Sequence, residues 1–145
     1  FLDEMEIPFE MHALSAHRTP AEVEDFARNA RGRGLKVIIA AAGMAAALPG
    51  VIASMTTLPV IGIPINSTLQ GEDALLSIVQ MPPGITVATV GINGAINAAL
   101  LAVEMLALSD EAVAGRLDKY RLTLSEKIVK ANAELSQLEY RFKTN

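Results

Sequence analysis

Cysteine is absent from the 145 residues. That excludes disulfides, thiolate metal sites and a thiol nucleophile. A basic stripe is also lacking. The net charge is -4 and the isoelectric point about 5.1, whereas phosphate backbones are bound by clustered positive charge. Lysine and arginine occur mainly at 28–36 and 116–130, interleaved with acids, as on solvated helix faces. No metal-ligand cluster is visible. Gly91-Ile-Asn-Gly94 falls short of the three spaced glycines of a dinucleotide site, and no serine occupies a nucleophile elbow. Residues 1–12 carry acids and no basic-then-apolar signal pattern. The expectation is a cytoplasmic protein with no nucleic-acid partner.

Charge is missing altogether from 37–71 and from 74–103. Runs of that length raise the question of transmembrane helices, which need about 20 apolar residues. Pro49-Gly50, Pro59, Pro64, Gly71 and Pro82-Pro83-Gly84 interrupt them repeatedly, and lipid-facing backbone does not tolerate such breaks. Runs such as Lys36–Ala40 and Pro59–Ile63 read instead as parallel strands buried on both faces. No membrane is expected.

What is present is an alternation. Strands are expected at Phe9–Leu14, Lys36–Ala40, Pro59–Ile63 and Thr86–Gly91. Helices are expected at Ala21–Arg33, Ala46–Met55, Glu72–Val79 and Ala95–Leu108. Thr19 and Pro20 open the first helix and Gly34 closes it. Strand and helix in turn imply right-handed crossovers and a doubly wound α/β sheet in one domain spanning 1–145. Ser109 is expected to cap a final helix on which Leu117, Tyr120, Leu124, Ile128, Ala131, Leu135 and Leu138 recur at three- and four-residue spacing. The helices at 46–55 and 95–103 carry no charge, which suits contact with further copies of the chain better than exposure to water.

Ligands of open α/β sheets bind beyond the carboxyl ends of the strands. Three segments fall there: Ser15-Ala-His-Arg-Thr-Pro20, Ala41-Ala-Gly-Met-Ala45 and Asn66-Ser-Thr68. The second is nearly devoid of side chains, so a ligand can approach its backbone and the amides of the following helix. Proton transfer falls to His17, whose side-chain type titrates nearest neutrality. Arg18 offers a permanent charge for phosphate or carboxylate. An alternative stays open: His17 caps the helix and Arg18 pairs with Glu22 or Asp25. His12, inside the first expected strand, reads as structural.

The stretches "SAHRTP" at 15–20, "VIIAAAGMAAALPGVIAS" at 37–54, "LPVIGIP" at 58–64, "LQGEDALLSIVQMPPG" at 69–84 and "NAALLAVEMLAL" at 97–108 resemble class I of the PurE family, N5-carboxyaminoimidazole ribonucleotide mutases. The resemblance implies a flavodoxin-like three-layer α/β/α sandwich with a parallel sheet and a long C-terminal helix, assembled as a homo-octamer. It implies a reaction without cofactor or metal, on a small ribonucleotide substrate, in which a carboxylate moves from an exocyclic nitrogen to ring carbon C4. His17 matches the family's proton-handling histidine. Ser15 and Arg18 match nucleotide contacts, Arg18 near the phosphate. Ala42, Gly43, Met44 and Leu48 match the loop around the base and the migrating carboxylate. The direct carboxylase of the same family and a non-catalytic oligomeric remnant are the competing expectations.

Two departures stand out. Ala47 replaces a histidine that many class I members carry before the Leu-Pro-Gly of this loop. An opening strand and a "GSxSD"-type loop have no counterpart, because the sequence starts at Phe1-Leu-Asp-Glu-Met, which resembles the middle of the family's first helix. The expectation is therefore an N-terminally incomplete stretch of a longer chain.

Overall fold

The computed structural model describes residues 1–145. Three strands, β1 (Ile38–Gly43), β2 (Val60–Ile65) and β3 (Ala88–Thr89), form a parallel sheet in the order β1-β2-β3. Five helices surround it: α1 (Pro20–Asn29), α2 (Leu48–Met55), α3 (Glu72–Val79), α4 (Ala95–Ala107) and α5 (Glu111–Ser136). Alternation along β2 divides the layers. Val60 and Gly62 face α1, α2 and α3, where Val23, Ala27, Ile52 and Ile78 are buried. Ile61 and Ile63 face Ala98 and Ala102 of α4. The result is a three-layer α/β/α sandwich, and no side chain with a polar or charged group is buried in it.

Helix boundaries follow local chemistry. α1 opens at Pro20, whose missing N–H costs nothing at a first turn. Thr19 precedes it without a side-chain cap bond. The chain leaves α1 through a Schellman arrangement: Leu35 N–H donates to Ala30 O (3.2 Å) and Gly34 N–H to Arg31 O (3.0 Å). Gly34 takes the left-handed conformation this requires, at φ 94°. α3 and its expected boundaries coincide, as do those of α4 to within a residue. The cap of α5 is Asp110, not Ser109: the Asp110 carboxylate accepts from Ala112 N–H at 3.0 Å and Val113 N–H at 3.1 Å.

Three strand expectations need correction. Phe9–Leu14 is not a strand; its backbone makes no main-chain hydrogen bond, and extended residues become a strand only by pairing. β1 begins later than expected and runs on through Ala41, Ala42 and Gly43, because these pair with Ile63, Pro64 and Ile65 of β2. The second expected loop, 41–45, begins later for the same reason, and β3 shrinks to two residues. β1 lies at one edge of the sheet, paired on one side only.

The first turn, Leu2–Glu6, packs Met5 against Val103 and Val113, and Phe1 stacks edge-on against Tyr120 with ring centroids 5.1 Å apart. Beyond Tyr120, α5 has no residue more than partly covered, leaving Leu122, Leu124, Ile128, Val129 and Leu135 exposed. No helix is long and apolar enough to cross a membrane.

Gly62 marks a tightly packed point of the sheet. A Cβ there would collide with Ile78 Cγ2 and lie 3.0 Å from Val87 Cγ1 and 3.4 Å from Pro49 Cβ. Gly62→Ala is therefore expected to destabilise the fold by about 1–3 kcal/mol, read as a lower denaturant midpoint with an unchanged slope. An unchanged midpoint would mean that α2 and α3 are not seated this closely on β2.

Candidate active site

The strands are parallel, α1 runs back to the start of β1, and α2 departs from its end. The amino ends of α1 and α2 therefore meet at the carboxyl edge of the sheet, and α1 packs along α2. The turn Ser15–Thr19 lies at this edge. It is closed by its own bonds: Ser15 N–H donates to Thr19 Oγ1 (2.9 Å), Thr19 N–H to Ser15 O (2.9 Å) and Arg18 N–H to Ser15 Oγ (3.2 Å). Ser15 is thus consumed in part by holding the turn. His17 and Arg18 project from it exposed, and neither side chain has a hydrogen-bond or ion-pair partner within the chain. The helix-capping and Glu22/Asp25 pairing alternatives do not form. A fixed cation and an imidazole, adjacent and uncommitted, are suited to an anionic substrate that must gain or lose a proton.

The segment leading into this turn is held by side chains alone. Glu10 accepts from Arg33 at 2.9 and 3.3 Å, Arg33 lies over the Phe26 ring, and His12 packs against Phe26 with the rings tilted and their centroids 5.0 Å apart. His12 is also 3.4 Å from Glu10, so its role is structural. The Arg33 guanidinium holds the Glu10 carboxyl below its ordinary range, partial desolvation opposes this, and His12 adds to the lowering.

The second wall follows β1. Gly43 ends the strand, and the chain then passes through left-handed Met44 (φ 55°) and Ala46 (φ 40°) before α2. Two non-glycine residues in this region store strain, of order 1–3 kcal/mol each; Ala46, 4% exposed, is held by packing beside Ala74 and Ile78. α2 has no side-chain cap at Ala47, so the Leu48 and Gly50 amides of its first turn remain available to an oxygen ligand, Pro49 having no N–H. Ala42 turns its methyl toward Ala74 and Ile78, and Leu48 is partly buried against the core. Ala42 can therefore offer a ligand only backbone. Met44, 58% exposed, is the free side chain of this wall.

The third segment, Asn66–Thr68, is exposed. Its Ser67 hydroxyl and Cβ fill the space that a Cβ on Gly43 would need. Thr68 donates to Asp73, and Asn66 N–H donates to Asn93 Oδ1 at 3.0 Å. Asn93 was not among the expected site residues; the Asn-Gly dipeptide at 93–94 is the one sequence signal for its left-handed backbone. A recess of about 630 Å³ opens at the other end of the sheet between Arg28, Arg31, Met55 and Ile85. It holds no general base, and the carboxyl ends of α1 and α2 direct their carbonyls toward it.

A family model described as AIR carboxylase matches residues 1–127. The N5-carboxyaminoimidazole ribonucleotide mutase of Pyrococcus abyssi is 58% identical over 121 residues, 83% of this chain and 70% of that protein. The protein of that name from Synechocystis is 49% identical over 96% of this chain and 80% of its own length, and that from Bacillus subtilis 50% over 92% and 85%. Among solved structures, Treponema denticola PurE superposes with a TM-score of 0.82 at 27% identity, covering 94% of this chain and 85% of that one. The flavodoxin-like α/β architecture with its long C-terminal helix is thereby established.

Because Glu10 titrates low in the folded chain, its pairing stabilises the fold above the ordinary carboxylate range and is lost as pH falls through the lowered value. Glu10→Gln is expected to melt slightly below the unsubstituted protein at pH 7, with the gap closing on acidification. A gap that is constant with pH would contradict the pairing with Arg33.

Proposed function

This chain belongs to the AIR carboxylase (PurE) family, and on that footing we propose that it is an N5-carboxyaminoimidazole ribonucleotide mutase of cytoplasmic purine biosynthesis. The observation that carries the reading is the closed Ser15–Thr19 turn, which presents His17 and Arg18 unpaired at the carboxyl edge of the sheet.

The reaction is an isomerisation. The bond between the exocyclic nitrogen and the carboxylate breaks, a bond from the carboxylate carbon to C4 forms, the nitrogen gains a proton and C4 loses one. No oxidant or second substrate is required. Loss of CO2 from the carbamate is promoted by a proton delivered to nitrogen, and the new bond at C4 is made permanent by removing one. His17 serves both steps, donating first and accepting afterwards. Arg18 binds the substrate phosphate, and Ser15 supports the nucleotide through the same turn. Gly43, Met44 and the first amides of α2 enclose the base and hold the transient CO2, with backbone donors opposite its oxygens. Ala42 lends backbone to this wall and Leu48 its partly buried apolar side chain.

CO2 must not escape between the two steps, yet in one chain this edge is open to solvent. Further copies complete the enclosure. Support comes from the exposed apolar side chains of α5, from Met11 and Ile96, and from a core of only 24 buried residues in 145. Such surfaces are covered in a closed homo-oligomer, for which the family resemblance implies an octamer.

His17→Asn is expected to lower turnover of the N-carboxylated nucleotide about 10²–10⁴-fold while nucleotide binding by calorimetry is retained. Arg18→Ala is expected to act mainly on KM. Retained turnover in the His17 variant would remove the histidine from the mechanism. Bicarbonate-dependent turnover of the uncarboxylated nucleotide alone would identify a direct carboxylase, and no turnover of either would identify a remnant. Sedimentation is expected to give a single species well above the 15.4 kDa of one chain; a monomer would contradict the shared enclosure.

A further inference from the structure

We propose that Asn93 is a positioning residue for this site: its side chain takes the place of a strand residue where β3 stops, and so holds the carboxyl end of β2 against Gly43. The role at the site rests on the reading of Gly43 and Met44 as the wall around the base.

In a parallel pair, one residue donates its N–H and offers its carbonyl to the groups on either side of the residue it faces. β3 follows this pattern while it lasts, with Ala88 and Thr89 opposite Ile61 and Gly62, and with Val90 N–H donating to Gly62 O at 3.2 Å. The chain then turns, Gly94 N–H donating back to Gly91 O at 2.9 Å. Within that turn Asn93 N–H donates to Pro64 O at 2.8 Å, and Asn93 Oδ1 accepts from Asn66 N–H at 3.0 Å. These two bonds bracket Ile65 as a neighbouring strand would. The backbone carbonyl of Asn93 cannot take part: the residue is left-handed, at φ 58°, and its carbonyl accepts from Ala95 N–H at 2.9 Å. The amide oxygen of the side chain replaces it. Asparagine combines tolerance of this conformation with a short side-chain acceptor.

The consequence reaches the site directly. Ile65 is the register partner of Gly43. Two residues beyond it, Ser67 occupies the space beside Gly43, its Cβ 3.2 Å from where a Gly43 Cβ would be. With Asn66 anchored, Ser67 backs Gly43 and the strained Met44 that follows it. Without the anchor, Asn66–Thr68 is an exposed turn free to leave that position.

Two substitutions separate backbone from side chain. Asn93→Gly keeps the left-handed backbone and its N–H but removes Oδ1; Asn93→Asp restores an acceptor oxygen at the same reach. Asn93→Gly is expected to lower kcat/KM for the N-carboxylated nucleotide by about three- to tenfold, mainly through KM, with Asn93→Asp within about twofold of the unsubstituted protein. Amide exchange is expected to speed up at Asn66 and at Ile65, whose N–H faces β1, in Asn93→Gly, with protection kept at Ala40 and Ile61. Unchanged exchange at Asn66 and Ile65 overturns the proposal. So does equal acceleration at all four amides, which marks a general loss of stability, and so does altered exchange with unchanged kcat/KM. If the unsubstituted protein turns over no nucleotide, it is the mutase reading that fails, and exchange at Ile65 then decides alone whether Asn93 holds this strand end against Gly43.

Discussion

The pairing of β1 with β2 is the constraint on which the rest of the molecule depends. Six register pairs, from Ile38 with Val60 to Gly43 with Ile65, align two strand ends at one edge. Everything assigned to chemistry is suspended from that edge, either by α1, which runs back from it, or by α2, which starts at it. Small residues are the condition for the alignment. Gly62 lets Ile78, Val87 and Pro49 close over β2, and Gly43 leaves room for Ser67. The alanine-rich end of β1 lets α2 and α3 approach closely, so the strained passage through Met44 and Ala46 is held by packing rather than by hydrogen bonds from side chains.

The two walls of the site are built by opposite means. The Ser15–Thr19 turn is rigid because it satisfies its own hydrogen bonds, which leaves His17 and Arg18 free for a ligand. The Gly43–Leu48 passage offers few side chains but presents amides and one exposed methionine. A carboxylate that detaches and reattaches needs both: a titratable group that reaches two atoms of the substrate in turn, and a close wall that yields no polar side chain to compete for the proton. The approach to the first wall, Pro8–Leu14, has no backbone bonds and is fastened through Glu10, His12, Arg33 and Phe26. Charge near that strap therefore affects how firmly the histidine turn is anchored.

Much of this was legible in the sequence, for reasons tied to individual residues. Gly71 followed by Glu72 and Asp73 fixed the start of α3, and the break between Leu108 and Asp110 fixed the end of α4. His17 and Arg18 stood out because so few residues in this chain can move a proton or hold a permanent charge at a strand end. Phe9–Leu14 carries strand-like residues, but pairing is a property of neighbours in space, and none lies against it. Ala41–Gly43 has the composition of a loop and became strand because β2 offered partners. Ser109 and Asp110 were both competent caps, and the carboxylate, one residue later, takes the two amides. Asn93 stayed hidden because its function lies in mimicking a backbone carbonyl, which no spacing rule encodes.

The central claim is that this chain moves a carboxylate within one enclosed site. It is tested most directly by supplying N5-carboxyaminoimidazole ribonucleotide labelled with carbon-13 at its carboxylate, in unlabelled bicarbonate, and following the product by NMR. The account predicts that the label appears on the carboxylate at C4 before it equilibrates with the solution. Product carrying only unlabelled carbon, or no product at all, would contradict it.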